Sequence, residues 1–286
     1  MAKQTALSIC AELVRSEDRD RFLCAMFAPP RHREALFALY AFNLEVARIR
    51  ESVSENLIGL MRLQWWRDAM VSINQGKTPL HPVAEALAEI VSSYSLKLSH
   101  FEQLIDSREA DMTDEQPVDM AALLAYAAST SAPLAQLSLD ILGVDDKASQ
   151  TAAQTAAKDV GVAWALTGVL RALPFHAATN RYLVPQDVCR RAGLDAQAFV
   201  KPPASKMLRE FVSAVSEQAT QSLFKAGAYR QDVSRSAIPA LLLATIAKNY
   251  LATLKRAQYD PFTARVARLN PGGMMKLMVN GFRGSY

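Results

Sequence analysis

The feature that most constrains the fold is a series of long segments in which apolar residues recur every three or four positions, without a strand pattern of any length. This spacing gives each segment an apolar helix face, and Ala and Leu, which dominate the composition, favour helices. Helices are predicted at residues 4–23, 33–52, 55–74, 83–94, 99–111, 121–142, 147–173, 205–228 and 237–258. The pattern therefore predicts an all-α protein, with one domain over residues 1–286 and about eight to ten helices.

Proline positions set two of the expected boundaries in the second half of the chain. Pro174 is expected to end the helix at 147–173, because proline has no backbone N–H and its ring clashes with the preceding turn. Pro271-Gly272-Gly273 is expected to interrupt a C-terminal tail at 261–286. The tail has no acidic residue and carries four cations, Arg265, Arg268, Lys276 and Arg283. It could be a peripheral membrane contact or a plain basic tail.

Composition limits the classes of function. A net charge of +4 over 286 residues is too weak to indicate nucleic-acid binding, but it is compatible with anionic ligands or an anionic membrane surface. The three cysteines and four histidines show no zinc spacing, so no metal site is predicted from them. No secretory signal and no apolar run of about 18 residues is visible. The sequence therefore predicts a cytoplasmic protein with reduced thiols, with a peripheral position on a membrane as an option.

Short motifs follow one another along the chain in a specific order. They are Leu39-Tyr40-Ala41-Phe42, Leu63-Gln64-Trp65-Trp66-Arg67, His81-Pro82, Leu104-Ile105-Asp106, Tyr126, Gly161-Val162-Ala163, Val169-Leu170-Arg171, Arg181-Tyr182-Leu183-Val184-Pro185, Tyr250 and Tyr259-Asp260-Pro261-Phe262. Through their order and spacing, the chain resembles the squalene/phytoene synthase family over nearly its whole length. The resemblance implies an isoprenoid-synthase-like helical bundle around a central cavity.

The resemblance also implies a specific chemistry, the head-to-head joining of prenyl diphosphates. Members of the family carry two aspartate clusters on facing helices, with carboxylates one turn apart on the same helix face. These clusters hold Mg²⁺, which prefers oxygen ligands and neutralises the diphosphate groups.

Both clusters are degenerate in this sequence. The first falls on residues 47–51, where Ala47 and Arg48 stand with a single acid, Glu51. Glu45 lies six residues before Glu51, so on one continuous helix the two would face roughly opposite sides. The second cluster follows Arg171, and Ala172 and His176 occupy the positions of its expected aspartates.

Residues 41–65, 126–143 and 171–176 are similar to one branch of the family, which contains a mitochondrial complex I assembly factor. In that branch the two clusters carry the same kinds of replacement. The resemblance implies a non-catalytic role in the assembly or stability of respiratory complex I, with no cofactor expected. The implied partners are complex I subunits and the inner-membrane surface.

An active Mg²⁺-dependent head-to-head prenyltransferase is the alternative. It would need other carboxylates, namely Glu45, Glu51, Asp106 and Asp111, to converge in one cavity. A third hypothesis is a lipid-binding module that holds a lipid or prenyl ligand in the cavity without chemistry.

Several further residues match family positions and are candidates for anion or cavity contacts. They are Glu45, Asp106, Asp111, Tyr126, Arg171, Arg181 and Tyr182. Each also has a structural interpretation. Glu45, Arg48 and Glu51 could form ion pairs on a solvated face. Arg171 and Arg181 could bond helix-end carbonyls, Asp106 and Asp111 could be caps, and a lone histidine such as His176 is more often structural than catalytic.

Overall fold

The prediction of an all-α protein is confirmed by a computed structural model, which describes residues 8–113, 115–144, 146–179, 182–262 and 269–286. These residues contain fifteen α-helices and no strand. The helices are α1 (Ile9–Glu17), α2 (Arg19–Ala25), α3 (Pro30–Ala47), α4 (Asn56–Asn74), α5 (Pro82–Tyr94), α6 (Leu98–Asp106), α7 (Met120–Ser129), α8 (Ala132–Leu142), α9 (Lys147–Ala178), α10 (Gln186–Ala192), α11 (Ala196–Phe199), α12 (Lys206–Gly227), α13 (Ile238–Leu241), α14 (Leu243–Arg256) and α15 (Pro271–Arg283). Short 3₁₀ turns span Arg50–Ser52, Glu109–Met112 and Arg235–Ala237.

The longest helix, α9, is the centre of the packing. It has 32 residues and is therefore about 48 Å long. Its start is capped by the Asp146 side chain, which accepts a hydrogen bond from the Ser149 N–H at 2.7 Å. Helices α7, α8, α12 and α14 pack against it. Because neighbours cover several of its sides, α9 is apolar around much of its circumference and shows little amphipathicity.

The prediction that Pro174 ends this helix is wrong. The helix continues one more turn to Ala178, and Thr179 closes it by donating its backbone N–H to the Phe175 carbonyl at 3.1 Å. Pro174 removes only the hydrogen bond that its own N–H would make to the Leu170 carbonyl. Burial of Leu173 and His176 on either side of the proline holds the turn in place.

The described residues contain more helices than the eight to ten predicted, because several predicted helices are interrupted. The one at 4–23, for example, divides into α1 and α2 at Asp18. The helix predicted at 33–52 ends at Ala47. The one predicted at 121–142 divides into α7 and α8 around Thr130 and Ser131, whose hydroxyls donate to the carbonyls of Tyr126 and Ala127 at 2.8 and 2.6 Å. Pro133 in the first turn of α8 has no N–H to continue the earlier helix.

The C-terminal segment is also more ordered than predicted. Pro271-Gly272-Gly273 does not interrupt a tail but opens α15, where the Asn270 side chain accepts from the Gly273 N–H at 2.7 Å. Proline suits the first turn of a helix, whose N–H groups have no intrahelical partner. Residues 263–268, with Arg265 and Arg268 of the predicted tail, lie outside the described residues.

Close backbone approach fixes α15 against the rest of the protein. A Cβ atom at Gly281 would lie 2.3 Å from the Phe27 ring, and one at Gly273 would lie 2.5 Å from the Asn249 side chain. Tyr286 is only 1% exposed. The outer side of the helix carries exposed apolar side chains, Met275, Met278, Val279 and Phe282.

Two helical stretches, Lys147–Ala178 and Arg235–Arg256, are long and apolar enough to cross a membrane by length and composition alone. The most apolar 18-residue segments of these two helices are 56% and 83% buried inside the protein. Packing against neighbouring helices therefore accounts for much of their hydropathy.

The three cysteines, Cys10, Cys24 and Cys189, are all buried and form no disulfide. Burial raises the pKa of the Cys10 thiol to about 11. It also raises the pKa of Cys24 and of Cys189. The thiols therefore stay protonated near neutral pH, as expected for reduced, structural cysteines.

Candidate functional site

The first degenerate motif lies where α3 stops. Ala47 is the last residue of the helix, and Arg48 leaves helical geometry with φ −99° and ψ 3°. Glu51 then sits in the 3₁₀ turn Arg50–Ser52. Glu45 and Glu51 therefore do not share a continuous helix, contrary to the sequence prediction, and cannot form the one-turn carboxylate pair of the family.

Arg48 places a positive charge where the family holds a metal. Its Nη1 pairs with Glu17 of α1, and its Nε lies 3.6 Å from an oxygen of Glu51. The side chains of Arg48 and Glu51 are 49% and 32% exposed. Glu51, the remaining acid of the first motif, therefore belongs to a solvated group of ion pairs. This agrees with the interpretation of these residues as ion pairs on a solvated face rather than as a binding site.

Glu45 lines a surface cavity of about 450 Å³ together with Arg48 and Glu51. Residues from α1, α3 and α4 and the start of α5 line this cavity, among them Leu13, Glu45, Arg48, Glu51, Arg62, Trp65, Trp66 and His81. The two tryptophan rings and the His81 ring contact one another, with centroids 4.9 to 5.5 Å apart. The cavity therefore combines an aromatic wall with acids and arginines rather than a cluster of carboxylates.

The second motif lies in the interior, and its central residue is Arg171. Its Nη1 is 3.2 Å from an oxygen of Asp20, a residue of α2. The Tyr250 hydroxyl of α14 donates to the same carboxylate at 3.1 Å. The Arg171 guanidinium also lies 3.9 Å from the centroid of the Tyr250 ring. Three helices that are far apart in sequence thus meet at one buried acid.

Burial dominates the electrostatics of this cluster. Asp20 is 8% exposed, and burial raises its pKa while the charge of Arg171 opposes that change. Burial also raises the pKa of Tyr250 well above its ordinary value, so its hydroxyl is a neutral donor at pH 7. Arg171 matches a family position near the diphosphate end, and here an internal carboxylate neutralises it.

A second arginine extends the cluster. Arg21 pairs with Asp18 at 2.5 Å, and its guanidinium lies 5.8 Å from the ring centroids of both Tyr40 and Trp164. Trp164 in turn lies 5.9 Å from the guanidinium of Arg171. Both arginines are therefore within cation–π distance of Trp164, an interaction worth up to about 2 kcal/mol when desolvated.

The other second-motif residues offer little to a metal. Ala172 is half-buried and has no ligating atom. His176 is buried on the last turns of α9, with its ring 6.0 Å from that of Phe175.

Asp106 and Asp111 were predicted on one helix at 99–111, but α6 ends at Asp106 and Asp111 lies in the following 3₁₀ turn. Asp106 accepts from Arg67 at 2.7 and 2.9 Å. Asp111 accepts from the Tyr126 hydroxyl at 2.8 Å and from Arg108 at 3.4 Å. Each acid is held by its own arginine.

Tyr182 lies near the C-terminal end of α9, and its hydroxyl donates to the Ala177 carbonyl at 3.4 Å. It lines a cavity of about 580 Å³ with Pro174, Asp195, Lys201 and Phe262. Arg181, the neighbouring candidate, lies outside the described residues.

The donor atoms at the two motifs do not fit Mg²⁺, which requires several oxygen ligands. Alanine, arginine and histidine occupy the decisive positions. Within the described ranges, no group of three or more His, Cys, Asp or Glu residues is placed to hold a metal ion. The four carboxylates of the alternative hypothesis are divided between the cavity beside α3 and two separate arginine pairs.

Sequence reasoning missed Asp20 and Trp164 as members of the site and noted Tyr250 only as part of the resemblance. Asp20 lies in a run of charges at 15–21, which resembles a solvated surface. The clue to its role would be its pairing with Arg171 on α9, but nothing in the sequence links two residues that are 151 positions apart.

The chain belongs to the squalene/phytoene synthase family, whose model matches residues 14–272. It is 32% identical over 277 residues to NADH dehydrogenase (ubiquinone) complex I, assembly factor 6 from Bos taurus, covering 97% of this chain and 82% of that protein. It is 23% identical over 261 residues to a chloroplastic phytoene synthase from Daucus carota, covering 90% and 65%.

Among solved structures, the crystal structure of a dehydrosqualene synthase in complex with ligand superposes with a TM-score of 0.81 at 18% identity, over 96% of this chain and 94% of the other. At this identity the likeness concerns the fold. It confirms the isoprenoid synthase architecture that the resemblance implied.

Proposed function

We propose that this chain is a non-catalytic member of its family that assists the assembly or stability of respiratory complex I. The observation that carries the proposal is the pairing of Arg171 with Asp20. Arg171 is the cation that would meet a diphosphate, and a carboxylate of the chain itself already pairs with it. The similarity to complex I assembly factor 6 over 97% of the chain supports the same role.

Its mode of action would be that of a scaffold. The proposed partners are complex I subunits at the inner-membrane surface, with the protein in the cytoplasm or peripheral on that membrane, and no cofactor is required. Exposed apolar side chains on α4, including Leu57 and Met61 at 66% and 65% exposure, and those on the outer side of α15 are candidate contact surfaces.

The proposal is tested by two measurements on the same variants. Purified protein is incubated with farnesyl or geranylgeranyl diphosphate, Mg²⁺ and NADPH, and diphosphate release is followed. In parallel, cells that lack this chain are assayed for assembled complex I and for NADH:quinone activity. We expect no Mg²⁺-dependent release, a complex I defect on deletion, and full rescue by the wild-type chain.

The matched variant is Glu45→Gln/Glu51→Gln, which replaces the single acid of the first motif and the nearby Glu45 by side chains of the same size. It should rescue complex I as well as the wild type does, because these acids only form ion pairs and line a surface cavity. Mg²⁺-dependent release that disappears in this variant would contradict the proposal and establish the prenyltransferase alternative.

A further inference from the structure

A second region, away from both motifs, has the characteristics of a ligand site. Helices α12 and α14 enclose a groove of about 790 Å³. This volume lies in the range of small-molecule sites, which are mostly apolar with a few placed polar groups. The groove is lined by residues at helical spacing on both helices, and the motif residues of α3 and α9 do not contribute to it.

The middle of the groove is apolar. Leu223 and Phe224 of α12 face Leu251 and Ala252 of α14 across it. The Phe224 side chain is 82% exposed, although most large apolar residues of α12 are buried, namely Leu208, Phe211, Val212, Val215 and Leu223. An exposed phenylalanine beside an apolar groove leaves surface that an occupant would remove from water.

One end of the groove is cationic. Arg230 and Lys248 line it there, and partial burial together with the charge of Arg230 lowers the pKa of Lys248. Lys255 lines the groove further along α14. In the part of the chain that the structure describes, Lys248 and Lys255 make no ion pair, and Glu217 is the single acidic residue among those that line the groove. Arg230 donates to the Tyr286 main-chain oxygen and lies against the Tyr286 ring, whereas Lys248 pairs with no acid among the described residues, so this end of the groove can still attract an anion.

A buried hydroxyl in the groove wall also lacks a partner. Ser216 is 5% exposed, and its Oγ makes no hydrogen bond. Burying a hydroxyl without a hydrogen bond is unfavourable, so a polar atom of an occupant at this position would be stabilised.

We propose that the groove between α12 and α14 binds a single anionic acyl lipid. The phosphate lies against Arg230 and Lys248, and the hydrocarbon chain lies over Phe224, Leu251 and Ala252. The cationic end and the apolar floor select an amphiphile with an anionic headgroup. Ser216 lies eleven residues before the end of α12, about 16 Å along the helix from the cationic end, and is not part of the headgroup contact. This site is independent of the proposed role in complex I assembly.

The experiment compares three probes by isothermal titration calorimetry with the full chain, each below its critical micelle concentration. The probes are 14:0 lysophosphatidylglycerol, which is anionic, 14:0 lysophosphatidylcholine, which has the same chain and a zwitterionic headgroup, and glycerol 3-phosphate, which has no chain. We expect the anionic lipid to bind at least tenfold more tightly than the zwitterionic one, and glycerol 3-phosphate to show no binding.

Two variants locate the binding. Lys248→Gln removes one cation from the groove. It should lower the affinity for the anionic lipid about tenfold, without changing the binding of lysophosphatidylcholine. Ala252→Trp fills the groove and should abolish the binding of both lipids. The matched control is Lys206→Gln/Arg256→Gln, which removes two cations from α12 and α14 outside the groove and should leave all affinities unchanged.

Circular dichroism melting establishes whether each variant is folded. If Ala252→Trp does not fold, the comparison of Lys248→Gln with the wild type and the control is sufficient. The proposal is overturned if the anionic lipid fails to bind to the wild type. It is also overturned if the control weakens binding as much as Lys248→Gln does, since that would indicate attraction to net charge rather than to this groove.

Discussion

The two regions in which the chain departs from its family differ in their exposure to solvent. At the end of α3, Arg48 and Glu51 replace metal ligands with ion pairs that are open to water. On α9, Arg171 remains, but it is only partly exposed and packs against the buried Asp20 and Tyr250. The first region can change at little energetic cost, whereas the second has become part of the core. The two degenerate motifs therefore form a solvated surface in one place and a structural network in the other.

Replacing Arg171 by Met should produce the largest effect. The variant leaves the carboxylate of Asp20 buried without its cation, and breaking a buried pair costs about 3–5 kcal/mol. The free energy of unfolding, measured by urea denaturation, should fall by about 3 kcal/mol, because Arg171 is 25% exposed.

Arg48→Met is the matched control, since it removes the same side chain from the exposed region. Its loss should stay below about 1 kcal/mol. Equal losses in the two variants would show that the two regions do not differ. The double variant Asp20→Leu/Arg171→Met should recover much of the stability, because no charge is then left unpaired.

Tyr250→Phe should have an intermediate effect. It removes a hydroxyl that donates to the buried carboxylate of Asp20 at 3.1 Å, and hydrogen bonds to charged groups contribute about 1.5–3 kcal/mol. Tyr94→Phe is the control, because the Tyr94 hydroxyl donates to the Arg31 carbonyl near the surface. In thermal and urea unfolding, the Tyr250→Phe variant should be clearly less stable than the Tyr94→Phe variant. The reverse order would show that the Tyr250 hydroxyl does not stabilise the network.

The pH dependence of stability provides a finer test of the buried region. Burial raises the pKa of Asp20 above its ordinary value of 3.8, so the folded protein holds this proton to higher pH than the unfolded chain does. The free energy of unfolding contributed by Asp20 therefore falls as pH rises from 3.8 through the folded pKa.

Asp20→Asn lacks this titration, so the stability of the wild type relative to the variant should decrease over that pH range. Urea denaturation of both proteins from pH 3.5 to 7 measures the difference. An increase with pH would mean that attraction to Arg171 outweighs burial.

The smallest effect is expected for Glu51→Gln. Glu51 lies 3.6 Å from Arg48 and is about one-third exposed, so its removal should change stability by less than about 0.5 kcal/mol. The same variant should support complex I assembly normally. A loss of assembly without a loss of stability would give the first region a direct role that its ion pairs do not explain.

The fold was predictable because helical period and proline positions are local properties. The predicted boundaries of α4 and α12 lie within one or two residues of those observed. The end of α9 was not predictable, because packing around Leu173 and His176 outweighs the missing N–H of Pro174. The division at Thr130 and Ser131 was missed because it depends on side chains that bond back to the preceding turn.

The candidate site was predictable only in part. The positions of both degenerate motifs follow from sequence spacing, and the loss of oxygen ligands is visible there. The partner of Arg171 is not, since Asp20 belongs to a charged run and meets α9 only in the folded chain. Long-range pairing of this kind depends on how α2 packs between α3 and α14.

The burial of the three cysteines has a practical consequence for mapping contacts. Because Cys10, Cys24 and Cys189 are buried and hold their protons, maleimide reagents should modify the native protein slowly at neutral pH. A single cysteine introduced at Leu57, Phe224 or Met278 would then carry a spectroscopic label or a cross-linker without removal of the native thiols. Labels at these three sites would report separately on α4, the groove between α12 and α14, and α15, and would show which of these surfaces becomes protected when membrane or complex I subunits are added.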